Sequence, residues 1–275
     1  MNTKEQIENQ KSGGYVVPIH EATEDGQSTD DRYESGYLTL DMAMQEENEE
    51  RKGFRDGDLV IISGKSFHGK TLFAQNLTKN FNDAGIPTIF FSYEVKISNV
   101  YKTFMDMGMD KEPNICTPKR NVTGNIGWVK EKIIEADRKY FAKIAVIDHL
   151  DFLTADAKND DFRRNEINNI VRALKDFAIR ESKVIVLLAH AVKGREMNLR
   201  NDDIADSRQI NNLADYIFFV KRQMDEDGVP KGNNGEVKLT KSRHTGNGAK
   251  MYFEVNSKVM CECPEPLYTA DKKRI

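Results

Sequence analysis

Residues 57–71 read Gly57-Asp58-Leu59-Val60-Ile61-Ile62-Ser63-Gly64-Lys65-Ser66-Phe67-His68-Gly69-Lys70-Thr71. Two patterns meet here. Leu59 to Ile62 is a continuous apolar run dominated by β-branched residues, as expected of a strand covered on both faces. Gly64 to Thr71 fits G-x-x-x-x-G-K-[ST], in which glycines let successive backbone N–H groups turn inward around phosphate oxygens. A chain of this length would match that pattern by chance about once in a hundred, so the setting decides. From Thr71 the apolar residues Leu72, Phe73, Leu77 and Phe81 recur at helical spacing, and the segment closes on Gly85. Strand, glycine loop and helix in this order place the loop at a helix N-terminus, whose dipole favours an anion. The nucleotide-contacting set is therefore Gly64, Lys65, Ser66, Phe67, His68, Gly69, Lys70, Thr71 and Leu72. Lys70 would reach the β- and γ-phosphates of ATP or another nucleoside triphosphate, and the Thr71 hydroxyl would ligate Mg²⁺.

Outward from this stretch the same alternation continues. Further apolar strands are predicted at Pro87–Glu94, Lys143–Leu150, Lys183–His190 and Asp215–Val220. Helices are predicted over 97–109, 128–140 and 161–181, the last with Ile167, Ile170, Val171, Leu174, Phe177 and Ala178 on one face. Residues 111–127, with two prolines and two glycines, read as a loop, and 236–243 with 249–255 as a hairpin around Thr245–Gly248. Strands alternating with helices indicate βαβ units: an α/β fold with a mostly parallel twisted sheet, helices on both faces and a C-terminal β-hairpin.

The 275 residues carry 41 basic and 44 acidic side chains, a formal net charge of −3. Residues 1–50 hold 13 acids against Lys4, Lys11 and Arg32, a balance of −10, so the remainder carries +7. An acidic head precedes a mildly basic body that is compatible with a nucleic-acid partner. Residues 1–35 are too polar to bury a core of their own and are expected to be a flexible arm or one docked on a partner. Residues 36–56 are expected to bring a short helix into a body spanning 36–256, with 257–275 as a fraying tail. No apolar run approaches the roughly 18–20 residues that span a bilayer, and the first residues lack the apolar core of a signal peptide. Cys116, Cys261 and Cys263 are too few for a disulfide scaffold and lack zinc-ligand spacing, so a cytoplasmic setting is expected.

Four further positions carry chemistry. Asp148 ends the run Ile144-Ala145-Val146-Ile147, where a carboxylate can meet Mg²⁺. Glu94 ends Phe90-Phe91-Ser92-Tyr93-Glu94 and could polarise an attacking water; it could equally be a helix-start acid. His190 tips the strand Val184–Ala189, where it could sense a γ-phosphate. Lys241 and Arg243 sit on the late hairpin, a position also compatible with a solvated turn.

In order, these motifs resemble the RecA-like P-loop core of replicative ring helicases of the DnaB type. FFSYE is similar to that family's F-S-x-E strand end, IAVIDHLDFL to its Walker B strand, and VIVLLAH to its strand ending in Gln or His. Asp206 to Asp215 resembles its D-x-x-x-S-x-x-I-x-x-x-A-D neighbourhood with shortened spacing. KSRHTG resembles its K-x-R-x-G hairpin and GYLTLD its entry segment. The resemblance covers about residues 36–256. It implies a hexamer-type ring with ATP sites between protomers, Glu94 as catalytic acid–base, His190 as γ-phosphate contact, and Arg243 with Lys241 acting on a neighbour's ATP. It also implies that loops 154–166 and 191–209 face single-stranded DNA. Their basic residues, Lys158, Arg163, Arg164, Lys193, Arg195 and Arg200, would neutralise backbone phosphates. Primase, polymerase or a helicase loader are the partners implied. Against the family, only about 35 polar residues precede the core, which puts primase docking in question. His149 stands for a more usual Tyr, and Val95 for a more usual Met. His190 in place of Gln resembles the phage branch, which points to a bacterial or phage-infected cell. Two alternatives stay open: a core-only recombinase of the RecA/RadA kind, or an ATP-switched DNA-binding adaptor or loader.

Overall fold

The computed structural model describes residues 31–154, 160–190, 208–224 and 230–264. Among these residues a single sheet of nine strands dominates. In chain order its strands are β3 (Leu59–Gly64), β4 (Thr88–Ser92), β5 (Ile115–Cys116), β6 (Ile144–Asp148), β7 (Val184–His190), β8 (Tyr216–Met224), β9 (Pro230–Ser242), β10 (Ala249–Asn256) and β11 (Val259–Cys263). They lie in the order β11-β10-β9-β8-β3-β7-β6-β4-β5. The pairings from β8 through β5 are parallel, and those joining β8, β9, β10 and β11 are antiparallel. A separate two-stranded ribbon pairs β1 (Arg32–Tyr33) with β2 (Phe54–Arg55).

The helices are α1 (Leu38–Ala43), α2 (Lys70–Asp83), α3 (Ile97–Asp106), α4 (Ile126–Tyr140), α5 (Asp160–Arg180) and α6 (Arg208–Leu213). They divide the core into two layers. Val60, Ile62, Phe90, Val146, Val186 and Phe218 point to the face covered by α2 and α3. Their neighbours Leu59, Ile61, Phe91, Ile147, Leu187 and Phe219 point to the face covered by α4, α5 and α6. Alternate residues thus bury on opposite sides, which is why these strands are apolar throughout rather than alternating. Each fully buried Phe or Leu contributes about 1.5–3 kcal/mol over its exposed state, so the sheet is a rigid platform for the loops at its ends.

The structure departs from the sequence reading at the margins. The short helix expected over 36–56 is confined to Leu38–Ala43. The chain then returns to pair Phe54 with Tyr33, so the last residues of the predicted arm form a ribbon with the body. Ile115–Cys116, read as loop, adds an edge strand against Thr88 and Ile89. Val259–Cys263, read as tail, is β11 and buries Met260. Residues 158, 193, 195 and 200, four of the positions expected to contact DNA, lie outside the described residues. No helix among the described residues is long and apolar enough to cross a membrane.

Candidate nucleotide-binding site

The loop between β3 and α2 takes its shape from the residues that allow it. Gly64 has φ +153°, and a Cβ there would stand 2.5 Å from the Val220 carbonyl oxygen on the adjacent β8. Phe67 and Gly69 also have positive φ, 67° and 93°, and Phe67 is exposed. Gly69 precedes α2, and no side chain caps that helix start. Its first N–H groups therefore point into the loop, the arrangement that receives phosphate oxygens. Lys70 is buried, and its ammonium donates to the carbonyls of Gly64 at 2.9 Å and Lys65 at 3.0 Å. These carbonyls hold the ammonium across the loop mouth. Burial pulls the Lys70 pKa down, opposed by the charges of Glu94, Asp148 and Asp151.

The parallel register brings the other strand ends to the same edge. Gly64 pairs with His190, and Ser92 with Asp148. Asp148 is almost fully buried, yet neither carboxylate oxygen has a hydrogen-bond partner among the described residues. Burial pushes its carboxyl up to about 6, with Glu94 adding to the push and the nearby Thr71 hydroxyl and Lys70 opposing it. A buried carboxylate with both oxygens orphaned is costly unless it meets a cation. Asp148 behind the Thr71 hydroxyl therefore fits the oxygen donor set that Mg²⁺ selects. Glu94 is exposed two residues past β4, and its charge is felt at Lys70, Asp148, His149 and His190.

Next to them lies a polar chain that the sequence revealed only as scattered residues. His190 Nδ1 is 3.3 Å from Lys70 Nζ, and its Nε2 is 3.2 Å from His149 Nε2. The two imidazoles meet edge-on at 79°, their centroids 4.5 Å apart. Burial lowers the pKa of both, which favours the neutral rings. Asp151 N–H donates to His149 Nδ1 at 3.2 Å, and the Asp151 carboxylate pairs with Arg163 at 2.9 Å. Arg163, expected to contact DNA, is thus tied to this chain from the start of α5. Arg164 and the exposed Phe162 share that turn. His149, Asp151 and His190 have metal-ligand types at close range. Both His149 nitrogens already face a partner, the Asp151 N–H on one side and His190 Nε2 on the other.

Sequence reasoning missed the other wall of the loop. His68 Nδ1 accepts the Arg222 N–H at 3.2 Å, and the Arg222 side chain passes close beside Gly69. Arg222 donates to the Gly232 carbonyl at 2.9 Å, while its Nε is buried without a partner among the described residues. A small pocket bounded by Lys221, Arg222, Asn234, Glu236 and Tyr252 opens there. No spacing in the sequence pointed to it: Lys221 and Arg222 lie on β8, and only the fold pairs that strand with the one feeding the glycine loop.

Lys241 and Arg243 are not brought to this site. Lys241 pairs with Ile217, near the start of β8, whereas the glycine loop lies beyond the end of the parallel β3. The two basic residues are therefore at the opposite edge of the sheet. Lys241 donates to the Asn211 carbonyl and Arg243 to the Asn212 carbonyl at the end of α6. Arg243 Nε also pairs with Asp215 at 3.2 Å. Asp215 is buried and further accepts from Lys175 at 2.5 Å and from Leu59 N–H at 2.8 Å. His244 meets Asp58 at 2.9 Å beside it.

Comparison with known proteins bears on the fold and the family. The family model for the DnaB-like helicase C-terminal domain matches residues 120–260, just over half of the chain, and the model for the KaiC ATPase matches residues 34–188. The replicative DNA helicase DnaB of Mycoplasma pneumoniae is 24% identical over 85% of this chain and 57% of its own length. That of Rickettsia bellii is 25% identical over 62% of this chain and 42% of its own. The chain thus spans about half the length of the curated relatives it matches. Among solved structures, a DnaB-like replicative helicase described with its primase interactions superposes with a TM-score of 0.71 at 21% identity, covering 90% of this chain and 67% of that one. A KaiC-like protein from the archaeon Pyrococcus horikoshii gives 0.64 at 20%, covering 85% and 99%. A separately solved ATPase domain gives 0.73 at 20%, covering 90% and 96%. These structural likenesses establish the RecA-like fold. With that fold and a family model covering half its length, the chain belongs to the DnaB-like helicase C-terminal domain family.

Proposed function

We propose that this chain is the ATPase core of a ring-forming replicative helicase that moves along single-stranded DNA. In this reading Lys70 leaves the loop carbonyls to hold β- and γ-phosphate oxygens, while the backbone N–H groups of 64–72 and the start of α2 hold the rest. Thr71 and Asp148 would hold Mg²⁺, which when bound neutralises phosphate charge. Glu94 orients and deprotonates the water that attacks the γ-phosphorus in line with the departing ADP. His190 contacts the γ-phosphate, and the pocket beside Arg222 and Tyr252 receives the base. Arg243, seconded by Lys241, acts on the ATP of a neighbouring protomer, where such a group is worth about 10³–10⁵ in rate.

One observation carries the reading. Lys70, Thr71, Asp148, Glu94 and His190 gather at one edge of the sheet, while Lys241 and Arg243 lie at the other. A site built from both needs two copies of the chain, which a closed ring of head-to-tail interfaces supplies. DNA contact belongs to the loops at the carboxyl edge, with Arg164 the described candidate and Lys193, Arg195 and Arg200 beyond the described residues. The relatives' names support a role in DNA replication, and one solved relative is described with its primase interactions. The reading sets the chain in the cytoplasm of a bacterium or a phage-infected cell, with primase, polymerase or a loader as partners.

The test is ATP turnover with and without single-stranded DNA, alongside strand separation on a forked duplex. The parent chain should show DNA-stimulated turnover and ATP-dependent separation, and Lys70→Ala should abolish both. Turnover surviving in Lys70→Ala would sink the site assignment. Strand exchange without unwinding would favour a recombinase, and nucleotide-dependent assembly without turnover an adaptor.

A further inference from the structure

A groove on the outer edge of the sheet, beyond β5, takes no part in the nucleotide site. β5 is the last strand of the sheet, and among the described residues it pairs only with β4, Ile115 against Thr88 and Cys116 against Ile89. The Asn114 carbonyl accepts the Thr88 N–H at 2.9 Å. Backbone groups alternate sides along a strand, so those of Ile115 turn outward, away from β4. Two cavities of about 510 and 380 Å³ lie against this edge and share Cys116, Thr117 and Tyr140. Their apolar wall includes Trp128, Val122 and Tyr140. Trp128 meets the buried Phe91 edge-on, with centroids 6.1 Å apart at 74°, and also lines the groove. Val122 and Tyr140 are exposed.

The rim of the groove carries mostly one sign of charge. Lys119 and Arg120 are exposed on the segment after β5, and neither has an ion pair among the described residues. Lys132 and Lys139 come from α4, with Glu135 between them at 2.5 and 2.6 Å. Four cations against one carboxylate leave the lining with three positive charges in excess.

From this we infer that the groove is a docking site for an acidic, extended peptide segment of a partner protein. The segment adds a strand to β5, sets an apolar side chain against Trp128 and brings its carboxylates to Lys119 and Arg120. The outward amide and carbonyl of Ile115 match another peptide backbone, as in strand addition, whereas a nucleic-acid strand offers no such repeat. The excess charge selects acidic over basic segments. Pro113 and Pro118 bracket β5, and proline has no N–H to give to a ladder. Pairing is therefore confined to the few residues between them, and the edge is closed to indiscriminate sheet extension. Side chains in the groove, rather than a long ladder, supply the specificity.

The chain has a single tryptophan, so Trp128 emission reports on the groove. The probe is the peptide DDVTVEE, acetylated and amidated, titrated into the full chain. It should change Trp128 emission saturably with a Kd below about 1 mM. Raising the salt from about 0.05 to about 0.5 M should weaken binding several-fold. The peptide KKVTVKK should leave the emission unchanged. DDVTVEE with methylated valine and threonine amides cannot give those N–H groups to a strand, and should bind about tenfold more weakly or worse. Lys119→Glu combined with Arg120→Glu should keep the thermal midpoint of the parent and weaken DDVTVEE by about tenfold or more. No saturable change up to about 1 mM peptide, an equal response to KKVTVKK, equal affinity for the methylated peptide, or a Kd untouched by the double substitution would overturn the proposal. So would displacement of DDVTVEE by an oligothymidylate of about fifteen nucleotides at concentrations below the peptide's own Kd, which would make the groove a nucleic-acid surface.

Discussion

His68 shows at the scale of one residue how the glycine loop is adapted to anions. Burial pushes its imidazole down to about 4, and the cations of Lys65, Lys70, Lys221 and Arg222 push the same way. The ring therefore stays neutral and accepts the Arg222 N–H, fastening the loop to β8. In an unfolded chain the same group protonates near pH 6.5. Between that value and about 4 the unfolded chain binds more protons than the folded one. His68 thus contributes stability that is fully present above pH 6.5 and is lost as pH falls toward 4. His68→Gln removes this dependence while leaving a side chain that can accept a hydrogen bond. The thermal midpoint of the parent, measured against that of the variant, should fall progressively between pH 7 and pH 5. A difference constant across that range would mean that the imidazole titrates as in water. The positions of Asp148 and the loop were legible from their spacing, because each is a marked residue type at a strand end. The cationic surroundings of His68 were not, since Lys221 and Arg222 come from a strand more than 150 positions away.

At the scale of elements, Asn76 ties the β10–β11 hairpin to α2. In the sequence it is one polar residue within the helical spacing of α2. In the structure it is buried, its amide donating to the Leu72 carbonyl at 2.8 Å and the Lys258 carbonyl at 3.0 Å. Its Oδ1 accepts the Met260 N–H at 2.8 Å. One side chain on the helix that follows the glycine loop thus pins the turn before β11 and the strand itself. Met260 reaches within ordinary contact of where a Gly69 side chain would stand. Val259–Cys263 could not be recognised from sequence, because it buries a single large apolar residue and its tie to α2 comes from an asparagine 184 positions earlier. Asn76→Leu keeps the volume and leaves the Met260 N–H and the Lys258 carbonyl unsatisfied. It should cost about 1–3 kcal/mol per stranded group, read as a lower midpoint of denaturant unfolding with unchanged slope. A variant as stable as the parent would mean that the ladder with β10 and the packing of Met260 hold β11 without Asn76.

For the whole molecule, the strands were legible because a sheet covered on both faces forces continuous apolar runs, and the loops because glycine and lysine spacing is tied to phosphate geometry. Their order in the sheet and the edge each side chain occupies were not. Lys241 and Arg243 follow the glycine loop in a linear reading without any sign of their distance from it. The antiparallel return of β9 carries them to the starting edge of β8, where Asp215 and the end of α6 hold them. This placement makes a prediction about assembly. Lys70→Ala lacks a working loop but keeps Arg243, and Arg243→Ala lacks the group proposed to act in trans but keeps the loop. Each alone should be nearly inactive in DNA-stimulated ATP turnover, the second by about 10³-fold or more. Co-expressed in equal amounts and assembled at random, about one interface in four joins an intact loop to an intact Arg243 across a head-to-tail contact. Turnover should then return to about a quarter of the parent rate. If the mixture is no more active than its parts, Arg243 does not serve a neighbour's ATP, and its contact with Asp215 is the whole of its role.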